Sequence, residues 1–202
     1  MPSMSTFPPL PPIYAGQSDE ELAEGCKNKD ELAFQELMRR YMRPILNFSR
    51  QYAKAVEDAE DIAQDTFLKV WKHIGRYAEG RQFRPWLYAI ARNTALDLLK
   101  KKKASVFSDL DDETNDLLFA DTLEDAEPSP AELSSQAAMA EELGEALLDL
   151  HPDHRAILIL HYRENMTFDQ IAVIVGRPMN TVKSWHRRAL LRLKDSLSHH
   201  TS

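Results

Sequence analysis

The sequence predicts an all-α protein that consists of two small helical domains joined by an acidic flexible linker. Only 6 of its 202 residues are glycine, and runs of β-branched residues are few, which favours helices over strands. Apolar residues recur at helical spacing between capping residues and prolines. With 43% hydrophobic and 28% charged residues, the chain has the composition of a protein that folds.

The chain begins with a proline-rich segment. Residues 1–17 contain the sequence FPPLPP and show no helical period, so we expect a disordered or polyproline-II tail. A ligand for an SH3-type domain is the alternative interpretation of this segment. Ser18 and Glu21 then have the spacing of a capping box, which predicts the start of the first helix.

Further helices are expected before residue 104. An apolar series ends at Tyr41, and we expect Pro44 to interrupt that helix and begin the next one. Residues 58–71 form a long amphipathic stretch with an acidic face. A loop with two glycines and three arginines follows at 75–84, and Pro85 is expected to restart a helix that ends in four lysines, whose charge complements the helix dipole.

Charge is strongly segregated, although the net charge is only −7. Residues 104–150 contain 14 acidic side chains and no basic one. Residues 1–103 have 17 basic and 14 acidic side chains, and residues 151–202 have 8 basic and 4 acidic ones. Two cationic blocks are therefore separated by an anionic one, a pattern that says more about partners than the net charge does.

The domain boundaries follow from these patterns. Residues 104–130 show weak periodicity, and we expect them to form the linker. Ser129 and Glu132 have capping-box spacing and are expected to open a second domain over 131–197. The first domain is predicted to span 18–103.

The stretch TFDQIAVIVGRPMNTVKSWHRRALLRL, which begins at Thr167, has the pattern of a helix-turn-helix. Gln170 completes a capping box with Thr167, and Gly176 lies where the chain must turn in a left-handed conformation. A second helix is expected to begin at Pro178 or Asn180. It combines an apolar inward stripe with a cationic outer face, as does a recognition helix in the DNA major groove.

Several classes of function are disfavoured. The single Cys26 cannot form an internal disulfide and suits a reducing cytosol, and a redox-sensor role for it is the alternative. No apolar run approaches the roughly 20 residues that span a bilayer, and no signal-peptide pattern is present. His151, His154 and His161 are the nearest candidates for a metal site, but no cysteine or carboxylate completes a ligand pattern with them. We expect no metal, cofactor, small-molecule substrate or catalytic activity.

Two blocks of the chain resemble RNA polymerase sigma factors. DAEDIAQDTFLKVW at 58–71 and FRPWLYAIARNTALDLLKK at 83–101 resemble region two of the extracytoplasmic-function (group IV) members of the sigma-70 family. HPDHRAILILHYRENMTFDQIAVIVGRPMNTVKSWHRRALLRLK at 151–194 resembles their region four. The resemblance implies a cytoplasmic, dissociable subunit of bacterial RNA polymerase that recognises promoters, opens DNA and starts transcription. It also implies an anti-sigma factor as a partner.

The resemblance implies that the acidic helix docks on core polymerase. The acidic helix is expected to contact the clamp helices of the β′ subunit. The β subunit is a further expected partner within core polymerase. A solvated helix face is the alternative interpretation. The candidate residues are Asp58, Glu60, Asp61, Gln64 and Asp65.

The loop and helix that follow are expected to bind the minus-ten promoter element. Tyr77 or Phe83 is a candidate for the pocket of a flipped base, although Phe83 and Trp86 are also candidates for the core. Asn93 and Asp97 lie one helical turn apart and could read base edges. The phosphate-binding candidates are Arg76, Arg81, Arg84, Arg92 and Lys100, and a solvated helix end is the alternative for the lysines.

The recognition helix is expected to read the minus-thirty-five element. The candidates are Arg177, Pro178, Asn180, Thr181, Lys183, Ser184, Trp185, Arg187 and Arg188. Trp185 and His186 depart from the family pattern, which has an arginine and then an apolar residue there. Trp185 can either replace part of the packing or face DNA.

Two other functions remain open at this point. One is a stand-alone helix-turn-helix regulator that binds operators as a dimer, but such a protein needs neither a docking helix nor a base-capturing loop. The other is a sigma-like decoy that sequesters an anti-sigma factor, but a decoy has no need for basic residues in both DNA-facing blocks. In the family the linker threads polymerase channels, and a soluble spacer is the alternative.

Overall fold

The computed structural model describes residues 11–53, 55–78, 80–106, 143–144 and 146–200. These residues form helices, turns and loops, and none of them belongs to a strand. The chain divides into an N-terminal and a C-terminal compact unit. The prediction of an all-α protein with two small helical domains is confirmed.

The N-terminal unit contains α1 (Pro12–Ala15), α2 (Asp19–Lys27), α3 (Glu31–Ser49), α4 (Val56–His73) and α5 (Phe83–Val106), with a 3-10 turn over Ile74–Arg76 between the last two. The predicted capping box opens α2, because Ser18 Oγ accepts from the Glu21 amide at 3.2 Å and Glu21 Oε2 accepts from the Ser18 amide at 2.7 Å. Because α5 continues to Val106, the helix extends into the predicted linker, whose remaining residues lie outside the described ranges.

The end of the proline-rich tail is ordered, which corrects the prediction for residues 12–15. The Arg40 guanidinium donates to the carbonyl oxygens of Tyr14 and Ala15 at 3.1 and 3.2 Å. The Tyr14 hydroxyl also donates to Asp30 at 3.0 Å. Partners from α3 and its cap therefore hold α1 in place, whereas residues 1–10 lie outside the described ranges.

The expectation that Pro44 ends a helix is wrong, because α3 passes through it without interruption. Leu37, Tyr41, Ile45 and Phe48 continue one buried face on both sides of the proline. An interior proline costs about 3 kcal/mol, whereas burying a large apolar side chain contributes about 1.5–3 kcal/mol. Burial of Ile45 and Phe48 together outweighs the cost of the proline.

Helix α5 begins at Phe83, two residues before the predicted start at Pro85. Glu20 of α2 provides the reason, because its carboxylate accepts a hydrogen bond from the Phe83 amide at 3.1 Å. Pro85 then lies in the first helical turn, where its missing amide hydrogen costs nothing.

The C-terminal unit contains helical residues at 143–144 and 146–148, then α6 (Pro152–Leu158), a π-helical turn over Ile159–Arg163, α7 (Phe168–Val175) and α8 (Met179–His200). A core of Leu147, Leu150, Leu158 and Ala189 packs beside Leu193. The predicted capping box at Ser129 lies outside the described residues.

The helix-turn-helix has the predicted local geometry. Thr167 and Gln170 form a reciprocal capping box, and Gly176 adopts the left-handed conformation at φ 64°. A Cβ at Gly176 would meet nothing within 4 Å, so its backbone angle alone accounts for the glycine. Helix α8 begins at Met179, and the Pro178 carbonyl accepts from the Val182 amide at 3.1 Å.

Candidate polymerase and nucleic-acid interfaces

One face of α4 presents exposed carboxylates. Asp61, Gln64 and Asp65 are exposed, and their spacing places them on one side of the helix. Leu68 follows at the same spacing, and 55% of its surface is exposed. We call Asp61, Gln64, Asp65 and Leu68 the α4 face. The sequence interpretation overlooked Leu68. Its position seven residues after Asp61, which is two helical turns, could have indicated that it lies on the same face.

Asp58 is engaged within the protein, which corrects its place among the exposed docking residues. Its carboxylate lies 2.6 Å from Lys102 Nζ, and only 13% of its side chain is exposed. This ion pair connects the start of α4 to the C-terminal end of α5. Glu60 is partly buried, so the freely exposed acids of the predicted docking set are Asp61 and Asp65.

Lys69 connects α4 to the middle of α5. Its Nζ donates to Thr94 Oγ1 at 3.0 Å and lies 3.7 Å from Asp97 Oδ2. Asp97 is 57% exposed and faces this cation, so a base would compete with Lys69 for the carboxylate. Asn93, one turn earlier, is exposed and is the better placed of the two for a base edge.

Tyr77 and Phe83 are core residues, which agrees with the core alternative given for Phe83 and corrects the hypothesis that either ring helps form the pocket of a flipped base. Phe83 has no exposed surface and Tyr77 is only 4% exposed. The rings pack edge to face with centroids 5.8 Å apart, and Phe83 also contacts Tyr41 at 6.0 Å. The Tyr77 hydroxyl donates to the Arg81 carbonyl, and burial raises the pKa of Tyr77. Neither ring has a free face for a nucleobase.

Trp86 is the member of this ring cluster that keeps a partly exposed surface. Its centroid lies 5.3 Å from Tyr77 and 5.8 Å from Phe83.

The candidate cations surround the loop and α5. Arg76, Arg81 and Lys100 are exposed, whereas Arg84 and Arg92 are partly buried.

The recognition helix α8 has one buried and one exposed side. Val182 and Ala189 have no exposed surface, as the predicted inward stripe requires. The exposed candidates on or next to α8 are Arg177, Pro178, Asn180, Lys183, Arg187 and Arg188. Thr181, Ser184 and Trp185 are partly buried.

His186 takes part in packing rather than extending from α8 alone. Its Nε2 lies 3.2 Å from the Tyr162 hydroxyl, and its ring contacts Phe168 at 5.1 Å and His161 at 5.2 Å. His161 in turn stacks on Phe168 at 4.6 Å. Burial, and then the neighbouring His161, lowers the pKa of His186. These rings hold α8 against α7 and the π-helical turn.

Cys26 offers no reactive thiol. The residue has no exposed surface, and burial raises its pKa to about 12, which disfavours a redox-sensor role because the thiolate is the reactive form. In the described part of the chain, no group of three or more His, Cys, Asp or Glu residues could hold a metal ion. Within the same ranges, no helix has the length and apolar composition needed to cross a bilayer.

Two family models match the chain. The model of sigma-70 region 2 matches residues 37–105, and that of sigma-70 region 4 matches residues 140–193. The sigma factor NccH of Alcaligenes xylosoxydans xylosoxydans is 30% identical over 181 residues, covering 87% of this chain and 92% of NccH. CarQ of Myxococcus xanthus is 30% identical over 166 residues, covering 82% of this chain and 89% of CarQ.

A solved structure has the same fold. The sigma factor RpoE of Bartonella quintana, in complex with the anti-sigma factor NepR, is 22% identical, with a TM-score of 0.66 over 82% of this chain and 96% of RpoE. The relatives also include proteins named as extracytoplasmic-function (ECF) sigma factors. One is SigW of Bacillus subtilis (strain 168), which is 26% identical over 174 residues, covering 85% of this chain and 92% of SigW. The chain therefore belongs to the extracytoplasmic-function RNA polymerase sigma factors of the sigma-70 family.

Proposed function

We propose that this sigma factor docks on core RNA polymerase through the α4 face and reads the two promoter elements through α5 and α8. The observation that carries the docking assignment is an exposed apolar side chain, Leu68, beside two exposed carboxylates. An apolar contact bordered by charges is typical of protein interfaces. Because the two carboxylates are anionic, we expect the partner surface, on the β′ clamp helices, to be basic.

Reversing charge on the α4 face should weaken docking. We expect Asp61→Arg or Asp65→Arg to lower the affinity for core polymerase at least about tenfold, because each change replaces attraction by repulsion. Competition binding with the unmodified protein measures this effect. Glu31→Arg is the control, since Glu31 is an exposed acid on α3 and the change in charge is the same. Equal affinities for the Asp61→Arg and Glu31→Arg proteins would contradict the assignment.

Promoter opening by this protein requires the polymerase. Separating about ten base-pair steps costs roughly 14 kcal/mol at about 1.4 kcal/mol per step. Capturing one unpaired base returns about 1–3 kcal/mol, so a few captured bases cannot meet the cost. We assign phosphate contacts near the minus-ten element to the exposed Arg76, Arg81 and Lys100, with Arg84 and Arg92 beside them. Asn93 is the candidate for base reading.

We assign the minus-thirty-five element to the exposed side of α8. Residues near the N-terminal end of a recognition helix contact base edges, which favours Asn180, Thr181, Lys183 and Ser184. Arg187 and Arg188 lie further along the helix and suit phosphates. Phosphate contacts add affinity without sequence choice.

A promoter library distinguishes these two roles. Transcription with Lys183→Ala should lose preference at one base position by about 1–3 kcal/mol, whereas Arg187→Ala should lower output from all promoters together. Lys194→Ala is the control, because Lys194 is an exposed lysine near the C-terminal end of the same helix. If Lys183→Ala reduced every promoter equally, Lys183 would bind a phosphate instead.

The family includes regulated proteins, and we propose an anti-sigma factor as a further partner. The RpoE–NepR complex supports this partner class. A second similar structure, of CnrH in complex with the cytosolic domain of CnrY, supports it as well. We further propose a cytoplasmic location and no catalytic activity of its own. Run-off transcription with core polymerase tests the whole assignment, since neither a stand-alone regulator nor a decoy would restore specific initiation.

A further inference from the structure

Trp185 lies between two parts of its own unit. Its ring centroid is 5.4 Å from that of His154 on α6, and the Arg177 guanidinium carbon lies 6.0 Å from the Trp185 ring centroid. Burial lowers the pKa of His154, and His151 lowers it further, which favours the neutral form of this ring. Arg177 is the cation over the tryptophan.

The backbone of Arg177 is held at a defined place next to α8. It follows Gly176, which has a φ of 64°, and precedes Pro178, which restricts its backbone to extended conformations. The Arg177 amide donates to the Ala172 carbonyl at 3.1 Å. Its side chain is exposed and has several rotatable bonds, so contact with Trp185 is what restricts the direction of the guanidinium.

We propose that Trp185 is a positioning residue that holds Arg177 for contact with a promoter phosphate, and that Trp185 itself reads no base. The inference rests on the proposed assignment of α8 to the minus-thirty-five element. A guanidinium over an indole ring is attracted by the ring electrons, and it loses less conformational freedom when it binds a phosphate. Trp185 therefore strengthens binding equally at all promoter sequences.

The contact can be observed in the free full-length protein. Protons of the Arg177 side chain should be shifted upfield by the indole ring in NMR spectra. Trp185→Leu should return these signals to ordinary values, whereas Trp185→Phe should keep part of the shift because it retains an aromatic face. Unshifted Arg177 signals in the unmodified protein would overturn the proposal without affecting the assignment of α8.

Binding of the assembled holoenzyme tests the consequence. The probe is a duplex promoter selected from a random library by the unmodified holoenzyme, and its affinity is measured at several salt concentrations. Arg177→Gln should reduce the slope of log affinity against log salt by about 0.9, the value for one phosphate contact. Trp185→Leu should weaken binding about two- to fivefold, and Trp185→Phe should restore most of that loss.

The double variant separates positioning from structural or base-reading roles. If Trp185 acts through Arg177, Trp185→Leu should cause no further loss in the Arg177→Gln background. Equal losses of affinity in both backgrounds, or a changed preference at one base position, would overturn the positioning role of Trp185. Neither result would affect the assignment of Arg177 to DNA. An unchanged salt slope for Arg177→Gln would overturn both this inference and the assignment of Arg177 to DNA.

Discussion

Phe83→Ala should destabilise the N-terminal unit by about 3–5 kcal/mol. Phe83 has no exposed surface and contacts the rings of Tyr41, Tyr77 and Trp86 at 5.8–6.0 Å. Removing the ring leaves a cavity among aromatic neighbours that cannot close around a methyl group. Because native proteins are stable by only about 5–15 kcal/mol, this loss should also lower transcription through partial unfolding.

Urea unfolding of the full-length protein measures this effect. Trp71 and Trp86 both belong to the N-terminal unit, so their fluorescence follows its unfolding. Amide exchange in α3 and α5 localises the change in stability to that unit. Phe83→Leu should cost less, because it fills most of the space. Arg81→Ala changes an exposed side chain of the same loop and is the control for stability alone, because Arg81 is also a phosphate-binding candidate. A Phe83→Ala protein with normal stability and lost promoter opening would instead restore the hypothesis of base capture.

Glu36→Gln should destabilise the same unit by about 2–3 kcal/mol, because it breaks a buried ion pair. Only 1% of Glu36 is exposed, and its carboxylate accepts hydrogen bonds from Arg39 at 2.7 Å and from Arg40 at 2.8 Å. Breaking a buried pair costs about 3–5 kcal/mol. The expected loss is smaller here because 55% of the Arg39 side chain and 22% of the Arg40 side chain are exposed, so water can solvate both.

Arg39→Gln is the matched control, with an expected cost of about 0–1 kcal/mol. Arg40 would still hold Glu36 in that variant, and Arg40 also pairs with Asp19 at 2.9 Å. Urea unfolding at neutral pH compares the two proteins. Equal losses would show that the buried carboxylate has no larger role than an exposed ion pair.

The acid response gives a second measurement for Glu36. Hydrogen bonds from Arg39 and then Arg40 lower its pKa, although burial opposes them. A carboxyl group with a lowered pKa stabilises the fold above its unfolded value of about 4.3, and this contribution disappears as pH falls through the lower folded value. The unmodified protein should therefore lose stability in that acidic range, and Glu36→Gln should lack this part of the loss.

Short-range features were predictable from the sequence because they depend on neighbouring residues. The capping boxes at Ser18 and Thr167, and the left-handed Gly176, each involve atoms within a few positions of one another. The apolar side of α8 was predictable for the same reason, since Val182 and Ala189 follow the helical period. These features identified the helix-turn-helix and, together with the two sequence blocks, the family.

Residues that are far apart in the chain decided where the sequence interpretation was wrong. Glu20, 63 positions away from Phe83, accepts the hydrogen bond at the start of α5. Lys102, 44 positions away from Asp58, forms the ion pair that engages this carboxylate. A ring at Phe83 looks the same in the sequence whether it faces DNA or the core. Only its neighbours in space distinguish the two roles.

The amino-acid sequence by itself determined that this protein is helical, has two cationic blocks around an acidic one, and contains the motifs of a sigma factor. Tertiary structure decided which of the candidate side chains are available to partners. It left Asp61, Asp65 and Leu68 exposed on α4, placed Tyr77 and Phe83 in the core, and put Trp185 beside Arg177. The physical reason is that helical periodicity and capping are local, whereas exposure depends on which distant surfaces pack together.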